Sequence, residues 1–353
     1  MRIFDSFPFD GELDLLEHRL RENFDRVDAF IIIESDRTYS GAPKELTFDR
    51  NRERFAWASE KIRHVKLQGG DAPRAPRERA AIQRDAVRLA LRDAEPDDVI
   101  LLLDADEIPS AEVLPSLRAR GIDRPRRLLM TRHYEHVDAL APRSPCCPIS
   151  ELPFQAATPH LRPGAWDDLD ERWWSRSGVA VPFRALSDAN AFDLRYGEID
   201  APPIARAGRH YSSIDRGARL ESKLARVFHT EWSGPRETSP HHLKRCREHG
   251  VHHRGWWYAE IPDGELPDDV KRLLKGNATK FPPMWRRRVV RSWAWMRLWR
   301  MFPDAAVAAI DRHLFLFALP LLAADFVRGV AGAALTRQAA TTNPRPHISS
   351  AKA

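Results

Sequence analysis

The chain has 353 residues, enough for one large domain or two ordinary ones with a substantial core. With 43% hydrophobic and 30% charged residues, it reads neither as a disordered chain nor as a conventional membrane protein. Three cysteines, two of them adjacent (Cys146, Cys147), cannot form a disulfide framework, and none has zinc-finger spacing, so a reducing compartment is expected. The net charge of +6 is uneven: residues 271–300 hold ten Lys/Arg and no acid, while the first 270 residues sum to −6. A mildly acidic body with one basic segment does not suit a whole-surface nucleic-acid binder. The opening MRIFDSFPFDGELD has no apolar run behind a basic segment and does not read as a signal peptide. The longest uncharged apolar run, Leu314 to Ala324, is too short to cross a bilayer as a helix.

The N-terminal half alternates in type. Arg2 to Phe7 is a strand candidate, and Glu12 to Asn23 reads as a helix with Leu13, Leu16 and Leu20 on one face. Val27 to Glu34 (VDAFIIIE) is a continuous β-branched and aromatic run, as expected of a strand covered on both faces. Arg52 to Lys61 reads as helix and Ile62 to Leu67 as strand. Arg77 to Arg92 reads as helix again, with Ile82, Ala86 and Leu89 as its apolar stripe. Val99 to Leu103 (VILLL) is the next fully buried strand. This order predicts an α/β domain with a mainly parallel sheet. Beyond residue 140 the texture changes. Residues 141–165 are Pro-rich and expected to be loop, and helices are expected over Arg216–Phe228, Pro240–His249 and Met284–Met301.

The strongest chemical signal is Asp104-Ala105-Asp106-Glu107, directly after VILLL. In open α/β sheets ligands bind beyond the carboxyl ends of the strands. Carboxylates crowded there repel unless a cation neutralises them, and hard oxygen donors suit Mg²⁺ or Mn²⁺ carrying a substrate diphosphate. A solvated acidic turn opening a helix has the same composition.

DVILLLDADEIP resembles the metal-binding strand of glycosyltransferase family 17. FPFDGELDLLEHRL, VDAFIIIESDRTYSGAPKEL and the Arg79–Val87 helix resemble that family's opening blocks in order. GRHYSSIDRGARLESKL is similar to its glycine-x-histidine block, with Arg209 where the family has tryptophan. The resemblance covers roughly residues 3–135 and 205–235. It implies a GT-A type nucleotide-sugar-binding fold and an inverting, Mn²⁺- or Mg²⁺-dependent transfer from a UDP-sugar, with N-acetylglucosamine the expected sugar. Asp106, with Asp104 beside it, would hold the ion, and His210 would complete its shell, with His229 as competitor. Glu34 would bond the uridine or ribose, unless it caps a helix. Arg79 would reach the phosphates, ahead of Arg84. Glu231 is the expected base for the acceptor hydroxyl, with Glu107 and Asp215 behind it. Trp166, Trp173 and Trp174 would form either an acceptor platform or ordinary core.

Two rivals compete with this reading. A haloacid-dehalogenase-like phosphohydrolase also places DxD after a buried strand, but Ile108 stands where it needs Thr or Val. A non-catalytic membrane-surface or nucleic-acid-binding protein would rest on the basic segment. The expected organisation is a catalytic domain over 1–235, a helical, Trp-rich region over 236–335 and a disordered tail over 336–353. The acceptor is expected to be a glycan, glycolipid or protein, with no nucleic acid partner. Residues 284–335 are expected either to lie on an anionic membrane surface, with Trp285, Val289, Trp293 and Met296 on one stripe, or to pack on the protein. The expected location is cytoplasmic, peripheral at the inner face of the membrane.

Overall fold

In the computed structural model, β1 (Ile3–Pro8), β2 (Ala29–Ser35), β3 (Ile62–Leu67) and β4 (Val99–Leu102) pair in parallel in the order β3-β2-β1-β4. The structure describes residues 1–70, 74–141, 169, 171–214, 238–253, 258–261 and 263–276, with single positions between 293 and 324. Side chains alternate between two cores, as the pleat requires. Ile3, Phe7, Phe30, Ile32, Val99 and Leu101 face one layer; Phe4, Ile31, Ile33, Ile100 and Leu102 face the other. The first layer is α1 (Leu13–Asn23), α2 (Thr47–Arg50), the 3-10 stretch Arg52–Lys61 and α4 (Val113–Arg120). The second is α3 (Pro76–Asp85), the 3-10 stretch Ala86–Ala90, α5 (Ala185–Asp188) and α6 (Ala191–Tyr196). Each wholly buried large apolar side chain contributes roughly 1.5–3 kcal/mol, so coverage on both faces explains the unbroken apolar runs Ala29–Ile33 and Val99–Leu103.

The rest of the sheet is mixed. β8 (Trp174–Pro182) lies antiparallel between β4 and β6 (Arg126–Tyr134), followed outward by β7 (Ala139–Ala141) and β10 (Ala259–Glu260). β9 (Ile204–Ser212) runs parallel to β6 and antiparallel to the short β5 (Glu107–Pro109). The parallel half follows the expectation. The antiparallel half went unseen because its strands mix Arg, Ser and Gly with apolar residues. Gly178 in β8 has a packing reason: a Cβ there would lie 2.0 Å from Leu103 Cδ2.

Two expected helices differ in detail. Arg52–Lys61 is 3-10 with a break at Phe55, and the Arg77–Arg92 segment is α-helical only to Asp85. On the latter, Ile82 and Leu89 are exposed, whereas Ala80, Gln83, Arg84 and Val87 are buried. The buried face is polar because Gln83 Nε2 donates to Ile33 O (3.3 Å) and Arg84 turns toward the acidic turn.

α7 (Pro240–His249) begins and ends where expected. Ser239 Oγ accepts from His242 N (3.1 Å), and Gly250 takes the left-handed conformation after the last turn. Trp295 stacks on the rings of His242 and His249, at 5.6 and 5.1 Å. Trp293 and Met296 are buried as well. At these positions the packing alternative holds: two of the four stripe residues, Trp293 and Met296, are buried in the protein. Trp285 and Val289 lie outside the described residues, as does the Arg216–Phe228 helix. Among the described residues no helix is long and apolar enough to cross a membrane. α8 (Asp268–Lys275) buries Val270 and Leu273 in a cluster with Leu15, Tyr211 and Ala259.

Candidate active site at the β1–β4 crevice

β1 leads to β2 on one side, while β4 lies on its other side, so the strand order reverses between β1 and β4. The carboxyl ends of these two strands frame the crevice where open α/β sheets take ligands. Asp104-Ala105-Asp106-Glu107 emerges there. Leu103 N donates to Ser6 O (2.9 Å) and Glu107 N to Asp104 O (3.0 Å), and Glu107 Oε2 accepts from Asp104 N (2.9 Å).

Three arginines brace this turn. Arg19, from α1, is fully buried; it donates to Asp5 Oδ2 (2.7 Å), Asp104 O (2.8 Å) and Ala105 O (3.2 Å). Arg84, from α3, donates to Leu103 O (3.1 Å), to Tyr196 Oη (3.0 Å) and to the Asp104 carboxylate. Arg195, from α6, donates to Glu107 Oε1 (2.6 Å), Asp104 Oδ2 (3.3 Å) and Ser177 O (2.8 Å). Burial by itself would raise the Asp104 pKa, but Arg84 and then Arg195 outweigh it and bring it to about 2. Asp104 is therefore a charged, arginine-held carboxylate.

Asp106 has a different neighbour. The β5/β9 register sets Glu107 opposite His210, and His210 Nε2 lies 3.4 Å from Asp106 Oδ1, with Nδ1 4.0 Å from Glu107 Oε1. Tyr211 N donates to Asp106 O (2.7 Å). Gly208 is what allows β9 so close: its φ is +152°, and a Cβ there would lie 2.2 Å from Ile108 O. The glycine of the glycine-x-histidine block thus sets the distance between the strands carrying Asp106 and His210.

The structure brings Asp106 and His210 together and keeps Asp104 beside them, occupied by guanidinium groups. Two ligands in adjacent positions on an ion with bonds of about 2.1 Å stand about 3 Å apart, so Asp106 and His210 fit as a cation pair. No group of three or more His, Cys, Asp or Glu suited to a metal occurs among the described residues, so other ligands would be water or phosphate. Glu34 needs correction. Its buried carboxylate accepts from Phe48 N (2.8 Å) and Asp49 N (3.3 Å) at the start of α2 and lies 3.2 Å from His64 Nε2, which consumes the oxygens a nucleotide would need. Arg79 lies against Gly41 in the loop after β2, and Arg84, the lesser candidate, is the one on Asp104. Glu107 is 1% exposed with both oxygens engaged, which removes it as a base. Trp173 is fully buried core and no platform, while Trp174 is half-buried with Nε1 donating to Leu169 O (3.0 Å). Trp166, Asp215, His229 and Glu231 lie outside the described residues. Sequence reasoning missed Arg19, Arg195 and Tyr196; nothing local marks an arginine on a six-residue helix as a partner of an acid so far upstream.

A cleft of about 40 Å³ opens beside the crevice at the ends of β1 and β2, lined by Phe9, Asp10, Thr38, Tyr39, Lys44 and Gln83 among others. A larger groove of about 930 Å³ runs between α1 and α8 and includes His18, Arg209 and Asp269. Because β residues alternate, Arg209 faces away from His210, so this groove lies on the opposite side of β9 from the Asp106–His210 pair.

Residues 1–135, a little over a third of the chain, match the model of glycosyltransferase family 17. The segment includes Asp104 and Asp106 and ends before Arg195 and His210. Over 121 residues the chain is 33% identical to the beta-1,4-mannosyl-glycoprotein 4-beta-N-acetylglucosaminyltransferases of Rattus norvegicus and Homo sapiens, which covers 31% of this chain but 22% of each relative. Among solved structures, it is similar to glucosyl-3-phosphoglycerate synthase from Mycobacterium tuberculosis (15% identity, 66% of this chain and 79% of that one, TM-score 0.31). It is also similar to the galactosyltransferase LgtC in complex with donor and acceptor sugar analogs (13% identity, 82% and 100%, TM-score 0.28).

Proposed function

We propose that this chain is a glycosyltransferase of the GT-A type that takes a UDP-sugar, with N-acetylglucosamine as the sugar, and passes it with inversion to a hydroxyl of a glycan, glycolipid or protein acceptor. The observation that carries this is the Asp106–His210 pair, held at the strand-order reversal by an arginine-braced acidic turn. In this reading the donor lies over the carboxyl ends of β1 and β4, with its diphosphate toward Asp106 and His210. A Mn²⁺ or Mg²⁺ held by these two residues would offset charge developing on the departing diphosphate. The protein's own part is preorganisation: Arg19 fixes the backbone of the turn, Arg84 and Arg195 keep Asp104 ionised, and Gly208 lets β9 deliver His210. A haloacid-dehalogenase-like role is disfavoured because it needs a free nucleophilic aspartate, and Asp104 is held by two guanidinium groups. For the acceptor base, Glu231 and Asp215 remain the proposal.

The test is a panel of UDP- and GDP-sugars assayed by calorimetry with Mn²⁺, with Mg²⁺ and with excess chelator, followed by release of free nucleotide in the presence of acceptor glycans. UDP-sugar binding that requires the ion, and that Asp106→Asn loses, supports the reading. UDP affinity unchanged in chelator would remove the ion from it, and binding of no nucleotide sugar would remove the reading itself.

A further inference from the structure

We infer that Arg195 is a positioning residue of the donor site: by bridging Asp104 and Glu107, it keeps these two acids off the cation and leaves Asp106 as the carboxylate that meets it beside His210. The inference rests on the donor reading above, but Arg195 lies outside the family-matched segment. α6 is only six residues long, yet it is fixed at both ends. Asn190 Oδ1 accepts from Asp193 N (2.8 Å) at its start, and Arg127, from β6, donates to Arg195 O and Gly197 O at its end. The helix therefore presents Arg195 rigidly, and its side chain is buried with Nη2 shared between the two acids.

Charge explains why the bridge matters. Asp104, Asp106 and Glu107 are three anions within four positions, and Arg84 and Arg195 offset two of them. Without Arg195 the turn carries one more uncompensated negative charge, and Glu107 and Asp104 are released to compete for the ion or to repel the phosphates.

The experiment measures Mn²⁺ binding by electron paramagnetic resonance and UDP binding by calorimetry, with Mn²⁺ and with chelator. The proteins are wild type, Arg195→Met, Arg195→Lys, Glu107→Gln and the Arg195→Met/Glu107→Gln double variant. Arg195→Met should weaken UDP binding in Mn²⁺ about tenfold and alter the Mn²⁺ spectrum, while any affinity that persists in chelator changes little. Arg195→Lys should restore part of the loss, since an ammonium serves one carboxylate at a time. The double variant should be no weaker than Arg195→Met, because both single changes cut the same bridge. Thermal melts identify variants that fail to fold; if Arg195→Met is one, Arg195→Lys and Glu107→Gln decide. Wild-type Mn²⁺ spectra and UDP affinity in every folded variant would overturn the role of Arg195 and leave the donor reading standing. No UDP binding by wild type with any ion would overturn both.

Discussion

Arg19 and Asp5 are both fully buried, with Arg19 Nε 2.7 Å from Asp5 Oδ2, and the same guanidinium donates to the carbonyls of Asp104 and Ala105. A core ion pair thus serves as the footing of the acidic turn. Removing one partner leaves an uncompensated buried charge, at a cost of roughly 3–5 kcal/mol. Arg19→Met should lower stability by that order in urea unfolding, and Arg19→Met/Asp5→Leu should lose less than the single change. A single change without effect would mean that water reaches Asp5.

Glu34 is expected to matter for stability and not for the donor. Glu34→Gln replaces one acceptor oxygen by a donor facing Asp49 N or Phe48 N, a loss of about 1–3 kcal/mol. UDP affinity of the folded variant should match wild type within twofold. A tenfold loss of UDP affinity at unchanged melting temperature would return Glu34 to the nucleotide.

Gly208→Ala tests the spacing of β5 and β9. The added methyl meets backbone at Ile108 O and Pro109 Cα, which no side-chain rotation relieves, and φ +152° is itself poor for alanine. The variant should lose ion-dependent UDP affinity along with stability, whereas Gly264→Ala, where a Cβ meets nothing within 4 Å, should lose neither.

Two buried histidines set the acid limit. Burial pulls the pKa of His18 down to about 4 and that of His133 to about 3, against an ordinary 6.5. The unfolded chain then takes up these protons more readily, so stability falls as pH drops below 6.5 and continues to fall toward 3. For His18 the loss by pH 4 is on the order of 3 kcal/mol. Glu135 has the opposite sign. Its backbone is left-handed (φ 60°), and burial raises its pKa to about 7 despite Arg247 at 3.1 Å. The folded state holds that proton more tightly than the unfolded one, so stability falls as pH rises from 4.5 through 7. Denaturant midpoints across pH should show both limbs, and Glu135→Gln should flatten the upper one alone.

The legible parts of this fold were those whose physics is local. VDAFIIIE and VILLL announce strands because both faces are covered, and Ser239-Pro240 with Gly250 mark the ends of α7 by capping. The stripe through Ile82 and Leu89 misled because the buried face of that helix serves the site and is polar at Gln83 and Arg84. DADE was legible as a charge problem, and its place after a buried strand located the crevice. How the charge is resolved was not legible, since Arg19, Arg84 and Arg195 come from three helices far apart in the chain. Glu34 shows the converse: a carboxylate at a strand end looks available until the start of α2 folds over it.

β8 lies between β4 and β6, although its residues come forty positions after β6 ends and outside the stretch that matches the family. The border of likeness is therefore not a border at which the polypeptide can be cut. A fragment ending at residue 135 would have β4 and β6 facing an empty lane, with the backbone amides and carbonyls of Val99 to Leu102 left to solvent on one side. Expressed separately, the two pieces should behave as halves of one object, insoluble apart and recoverable only when refolded together.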